Sequence, residues 1–243
     1  DLPSNYRFLK ISKSSKNYIT NCFNISLKLL KTKKFSGLIN GPISKKHFLQ
    51  NKFLGITEYL AKNTNIIDDF AMLIYEKNLS VCPITTHLPL KAVSKSLSKK
   101  SIISKAQLIK KFFIKNFKKN PKIAITGLNP HCESYERISE EKKFIIPAIK
   151  YLKKKNFYIS GPLPADTIFL KQNVKKFDVI IGMYHDQVLA PIKALHGFNA
   201  INITLGLPFL RISPDHGPNE KMIGKNISNP ISLIRSLEFL DKK

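Results

Sequence analysis

Short apolar runs alternate along the chain with longer stretches in which apolar residues recur at helical spacing. This is the pattern of an α/β domain on a largely parallel sheet. The runs predict strands over residues 35–40, 79–85, 122–126, 157–160, 177–182 and 200–204, most of them bounded by Gly, Pro or Asn. Between them, Ile102, Ala106, Ile109, Phe113 and Phe117 fall on one face of a helix that follows the Ser101 region. Residues 140–155 read as a second helix with Ser139 as N-cap. Residues 230–240 read as a third, with Asn229 before it and Pro230 suited to a first helical position. No internal repeat, low-complexity tract or flexible linker interrupts the pattern.

The 243 residues include 41 Lys or Arg against 16 Asp or Glu, a formal net charge of +25. Apolar residues make up 43% of the chain, enough to bury a core rather than remain disordered. The length suits one large or two small domains. The charge raises a rival reading, a basic nucleic-acid-binding module. We discount it, because arginine occurs only at Arg7, Arg137, Arg211 and Arg235, while bidentate phosphate and guanine contacts favour arginine's planar fork. Lysine clusters such as 31–34 and 153–155 read as solvated faces.

Cys22, Cys82 and Cys132 show no CxxC spacing, which argues for a reducing compartment. No apolar run approaches the roughly 18 residues of a membrane span, and the first residues form no signal-peptide core. The expectation is a soluble, cytoplasmic protein with neither membrane nor nucleic acid as partner. Residue 1 is Asp rather than Met, so the chain is expected to be a fragment or a trimmed product.

The candidate chemistry lies just past the strands, where ligands of α/β sheets collect. Four segments qualify: INGPIS (39–44), ITTHLPL (84–90), ITGLNPH (125–131) and IIGMYHDQ (180–187). Three carry a histidine, His87, His131 and His185. Three imidazoles converging from separate strand ends would make a catalytic metal site with open positions. The alternative is three unrelated loop histidines. Asp186 adjoins His185, and Lys193 follows on the next segment, as a proton donor, an anchor for an anionic substrate or a solvated lysine. Asn202 and Arg211 bracket the run ITLGLPFL. An arginine so placed needs an anionic partner, either a substrate phosphate or carboxylate or an internal carboxylate. GxGxxG, GxxxxGK[ST] and GxSxG are all absent, which argues against Rossmann, P-loop and serine-hydrolase sites.

Five segments in order, GLNPHCE (127–133), SGPLPADTIF (160–169), MYHDQ (183–187), INITLGLPFLRIS (201–213) and DHG (215–217), resemble the 4-hydroxythreonine-4-phosphate dehydrogenase family of vitamin B6 biosynthesis. The similarity runs from about NGPISK to the C-terminus. It implies an isocitrate/isopropylmalate dehydrogenase-like fold, two α/β domains around a cleft, working as a homodimer. Residues 1–55 with 210–243 would form the first domain, lacking its N-terminal part, and 56–209 the second.

By the same resemblance, His87, His131 and His185 match the family's metal ligands near the dimer interface. Thr57, Lys193, Asn202 and Arg211 match its substrate-binding positions. Residues 215–230 look like the loop that holds the adenosine part of NAD in the isopropylmalate dehydrogenases, making His216, Gly217 and Asn229 the cofactor candidates. The implied reaction is NAD-dependent oxidation of 4-phosphooxy-L-threonine followed by loss of CO2, giving 3-amino-2-oxopropyl phosphate. Lys193 would anchor the substrate or reprotonate the enolate, and Asp166 or Asp186 would act as base or support a ligand histidine. Zn2+ leads the candidate ions, with Co2+, Mn2+ and Mg2+ open.

Two departures stand out. The family's Gly-His-Thr-Glu reads Gly55, Ile56, Thr57, Glu58 here, which keeps open a sibling activity on phospho-threonate or phospho-erythronate. The family's opening glycine- and proline-rich motif is missing, so one wall of the cleft is expected to be absent.

Overall fold

The runs pair into one sheet because each is too short and too apolar to satisfy its backbone alone. The computed structural model describes residues 15–50, 52–66, 69–133 and 139–242. Its strands are β1 (Gly37–Ile39), β2 (Ala71–Tyr75), β3 (Ser80–Thr85), β4 (Ile123–Thr126), β5 (Ile159–Leu163), β6 (Val179–Tyr184), β7 (Ile201–Leu205) and β8 (Leu210–Pro214). They lie in the order β1-β8-β7-β2-β3-β6-β4-β5. The helices are α1 (Ser15–Lys31), α2 (Lys45–Leu49), α3 (Ile56–Asn63), α4 (Leu90–Ser96), α5 (Lys99–Phe117), α6 (Ile146–Lys154), α7 (Ala165–Ile168), α8 (Lys171–Val174), α9 (His185–His196) and α10 (Ile231–Asp241).

The six predicted strands are all present, but the sheet is mixed rather than largely parallel. β3, β6, β4 and β5 form one parallel block, and β1 pairs parallel with β8. The three ladders between the blocks, β8–β7, β7–β2 and β2–β3, are antiparallel. The inversion comes from two strands the pattern did not predict. β2 is a wholly apolar run, AMLIY, and β8 carries Arg211 inside a strand and is reached by a tight return after β7. The expected domain border falls between β7 and β8, and the ladder from Ile201–Pro214 to Thr204–Arg211 runs across it.

The helix after Ser101 starts slightly earlier, at Lys99, because Ser98 and Ser101 cap each other reciprocally, an arrangement worth about 1 kcal/mol. The 140–155 helix opens as a π turn, Glu141–Ile145, with the Ile146 N–H on the Glu141 carbonyl, before α6. Pro147, with no N–H, cannot carry an α ladder back through that turn. Ser139 Oγ takes the Lys142 N–H at 3.4 Å. At α10, Asn229 Oδ1 accepts from the Ile231 N–H at 3.0 Å, and Pro230 sits at the cap.

The helices cover both faces. Ile102, Ala106 and Ile109 of α5, Ile149 and Leu152 of α6 and Phe239 of α10 pack on one side, while Val188, Leu189 and Ile192 of α9 pack on the other. Phe23, Phe48, Leu49, Ile56 and Leu60 make a third cluster where α1, α2 and α3 meet. Among the described residues no helix is long and apolar enough to cross a membrane.

Candidate active site

β3, β6 and β4 are neighbours and parallel, so the loops that follow them leave from one edge of the sheet. That edge therefore carries the segments of His87, His185 and His131. The fourth segment, INGPIS, differs from expectation: three antiparallel steps separate β1 from β3, so it leaves from the opposite edge. Asn40 stays tied to β8, its side chain to Arg211 and its N–H to the Ile212 carbonyl.

The His87 and His185 rings lie with centroids 5.5 Å apart, tilted by 40°. Two imidazoles bound at about 2.1 Å to one ion put their centroids roughly 5 Å apart, so the pair fits a shared cation. His87 has a left-handed backbone, φ 38°, and its ring is seated against Gly55, where a Cβ would come within 3.2 Å of His87 Cε1. His185 Nδ1 is 2.6 Å from Asp186 Oδ1. A carboxylate there accepts a hydrogen bond from Nδ1–H and leaves the Nε2 lone pair available to a metal.

His131 is not brought to this pair. It lies exposed on a 3-10 turn, with Nδ1 4.0 Å from Asp166 Oδ2. Among the described residues no three His, Cys, Asp or Glu side chains form a metal-sized group within the chain. The His131 loop is nonetheless well held. Glu141, 1% exposed, accepts the Leu128 N–H at 2.8 Å, the Asn129 N–H at 2.9 Å and Asn129 Nδ2 at 2.9 Å. Burial pushes the Glu141 carboxyl up, but the donors of Asn129 and Leu128 outweigh it and hold it below the usual carboxylate range.

The expected substrate residues share one face of β7 and β8. INITL alternates, so Ile201, Ile203 and Leu205 enter the core beneath α5 while Asn202 and Thr204 turn to the α9 side. Arg211 is opposite Thr204 and 2% exposed. Its Nε donates to Asn40 Oδ1 at 2.8 Å and its Nη1 to Thr204 Oγ1 at 3.1 Å, both neutral acceptors. Thr57 Oγ1 lies 3.3 Å from the same Thr204 hydroxyl. Burial lowers the Arg211 guanidinium to about 10, partly offset by the charge of Glu58. Asn202 Oδ1 is buried and meets no hydrogen-bond partner among the described residues. Lys193 Nζ is engaged by Asp215, 2.6 Å from its carbonyl and 2.9 Å from Oδ2. Burial raises the Asp215 carboxyl, and Lys193 offsets part of the rise.

Of the cofactor candidates, His216 packs edge-on to Phe198 at 6.0 Å, with Nδ1 3.1 Å from the Gly217 carbonyl. Gly217 has open space where a Cβ would be, and Asn229 is taken up by α10.

Several site residues escaped the sequence reading. Glu58 accepts from Thr86 Oγ1 at 3.1 Å and leaves its buried Oε2 without a partner among the described residues. Asp215 lay within the quoted DHG, and Glu58 beside Thr57, so the motifs contained them. Thr204 and Glu141 carried no signal that spacing could expose.

The mixed eight-stranded sheet with helices on both faces places the chain in the isocitrate/isopropylmalate dehydrogenase-like fold class. The same fold recurs in a beta-decarboxylating dehydrogenase from Thermococcus kodakarensis, 13% identical with a TM-score of 0.50, over 77% of this chain and 60% of that one. Within that class, residues 2–240 match the family model of the pyridoxal phosphate biosynthetic protein PdxA, and the chain belongs to that family. A 4-hydroxythreonine-4-phosphate dehydrogenase from Sulfurihydrogenibium sp. is 44% identical over 231 residues, 93% of this chain and 70% of that protein. Another of the same name, from Aquifex aeolicus, is 40% identical over 84% of this chain and 64% of its own length. A crystal structure of the Klebsiella pneumoniae 4-hydroxythreonine-4-phosphate dehydrogenase, 29% identical, superposes with a TM-score of 0.81 over 96% of this chain and 72% of that one. The chain thus spans about two thirds of the length of these relatives.

Proposed function

We propose that the chain carries out the NAD-dependent oxidation of 4-phosphooxy-L-threonine and its decarboxylation to 3-amino-2-oxopropyl phosphate. The observation that carries this is Arg211, a buried cation that among the described residues donates only to the neutral Asn40 and Thr204. A charge so enclosed calls for an anion, and a substrate phosphate or carboxylate meets that need beside the Thr57 hydroxyl, while the Asn202 Oδ1, without a partner among the described residues, would accept from a substrate hydroxyl or amine.

His87 and His185 would hold a divalent ion, Zn2+ first and Co2+, Mn2+ or Mg2+ next, with His131 completing the set. Since the third donor stands apart within one chain, the reading includes a homodimer whose contact assembles it. When bound, the ion supplies Lewis acidity at the substrate oxygens and NAD+, against His216, Gly217 and Asn229, supplies the hydride acceptor. Asp186 orients His185, and Asp166 stands next to His131. One of the two carboxylates, in place of supporting its histidine, would take the proton of the substrate hydroxyl as hydride departs. Loss of CO2 leaves an electron pair on carbon, which Lys193 Nζ protonates, or Lys193 anchors the substrate while water does so.

The test is NADH formation by the metal-supplemented protein with 4-phosphooxy-L-threonine, and in parallel with 4-phospho-threonate and 4-phospho-erythronate. Turnover of the first supports the reading. Turnover of the sugar-acid phosphates alone transfers the chain to the sibling activity that Ile56 keeps open. Absence of any NADH removes both, and salt-sensitive duplex binding in its place restores the basic-module reading.

A further inference from the structure

We infer that Gln187 is a positioning residue whose amide locks the ends of β6 and β4 together, with Thr85 joining β3 to the same point, and so sets the spacing of the three histidine-bearing loops. The inference rests on the proposed function only for the use of that spacing. Gln187 lies in the first turn of α9. Its Oε1 accepts the Met183 N–H at 2.7 Å and the Thr126 hydroxyl at 2.8 Å, and its Nε2 donates to the Gly127 carbonyl at 2.8 Å. One amide thus ties the end of β6 to the end of β4 and the residue that follows it. From the other side, Thr85 Oγ1 of β3 donates to the Met183 carbonyl at 2.8 Å. Both backbone groups of Met183, a fully buried residue, are then held by side chains from its neighbours.

The positions match the loops. His87 is two residues beyond Thr85, His185 two beyond Met183, and His131 four beyond Gly127. Gly182 makes the arrangement fit: a Cβ there would stand 2.4 Å from Val188 Cγ1 and 3.0 Å from Gln187 Oε1. A strand end leaves its ladder with unpaired backbone groups. The ends would otherwise satisfy these with water and move independently, whereas the Gln187 amide gives β6 and β4 one register and the Thr85 hydroxyl holds β3 to the same Met183. Groups behind a ligand that fix its orientation typically change metal affinity or activity 10–100-fold when removed.

The experiment compares wild type with Gln187→Met, which keeps length and loses all three bonds, and Gln187→Glu, which keeps the acceptor but repels the Gly127 carbonyl. Amide exchange at Gly127, Leu128 and Asn129 is read first, then Co2+ titration by its visible spectrum. We expect exchange about 10-fold faster in Gln187→Met, Co2+ bound about 10–100-fold more weakly with an altered spectrum, and intermediate values for Gln187→Glu. If Gln187→Met only melts at a lower temperature, with loop exchange and Co2+ spectrum as in wild type, the residue is structural and the inference is overturned. If wild type itself fails to bind Co2+, the metal reading falls, while the exchange comparison still decides whether Gln187 holds the loops.

Discussion

The Nδ1 of His185 and the Oδ1 of Asp186 meet at 2.6 Å, neighbours in sequence that form a carboxylate–imidazole pair on the first turn of α9. The pair engages Nδ1 and leaves Nε2 as the remaining ring nitrogen, on a ring whose centroid is 5.5 Å from that of His87. Replacing Asp186 by Asn keeps the shape but removes the charge, and is expected to weaken Zn2+ or Co2+ binding about 10-fold. His185→Ala, which removes a donor outright, is expected to lose more. Titration calorimetry with either ion measures both, and equal affinities for wild type and His185→Ala would refute the assignment.

Arg211 should separate binding from stability. Substituting Met removes a buried charge, which leaves folding stability within about 1 kcal/mol of wild type or raises it. On the proposed function the same change would remove charged hydrogen bonds to a phosphorylated substrate, so KM is expected to rise about 10–100-fold. Urea melts and steady-state kinetics on one preparation read both quantities.

Glu141 gives a pH signature. Its carboxyl is held below the usual range by the donors of Asn129 and Leu128. The stabilisation is therefore complete above the unfolded value near about 4.3 and is lost as pH falls through the lower folded value. Glu141→Gln keeps acceptor capacity at one oxygen only, and should cost about 1–3 kcal/mol at pH 7. The gap from wild type in urea midpoint should close as the solution is acidified below pH 4.

Lys105 gives the same sign in the alkaline range, for a different cause. On α5, it donates to the carbonyls of Pro83 and Ile84 near the end of β3. Burial lowers its ammonium, with Cys82 and Glu58 opposing. The folded state therefore binds fewer protons than the unfolded chain between the lowered value and the ordinary one near about 10.4. Wild-type stability should rise with pH across that window relative to Lys105→Met. Denaturant melts of the two proteins at pH 7 and pH 10 check the sign.

Much of this was visible in the sequence, for physical reasons that also mark where it stopped. Strands bounded by Gly, Pro or Asn announce themselves, and so did the α5 stripe from Ile102 to Phe117. β2 did not, because AMLIY has no polar alternation to set it apart from a buried helical segment. β8 was hidden by the charge of Arg211 within it. The motifs located His87 and His185, which the fold brings together because β3 and β6 are neighbours. They could not show that His131 leaves its loop toward Asp166, since the direction of a loop depends on side-chain bonds such as those of Glu141. Lys105 and Gln187 look on paper like ordinary helix residues, and only the packing of α5 and α9 on the sheet gives them their partners.

The β2–β3 ladder has one registered pair, Ile74 with Val81, while β2–β7 has five. Pro83, with no N–H to offer, lies just beyond that pair. A bending load on the sheet would therefore concentrate at this thinly stitched joint. On one side of it lie the Arg211 cation and Thr204, and on the other the two imidazoles, so small flexure there translates directly into a change in the gap between the buried guanidinium and the His87 and His185 rings.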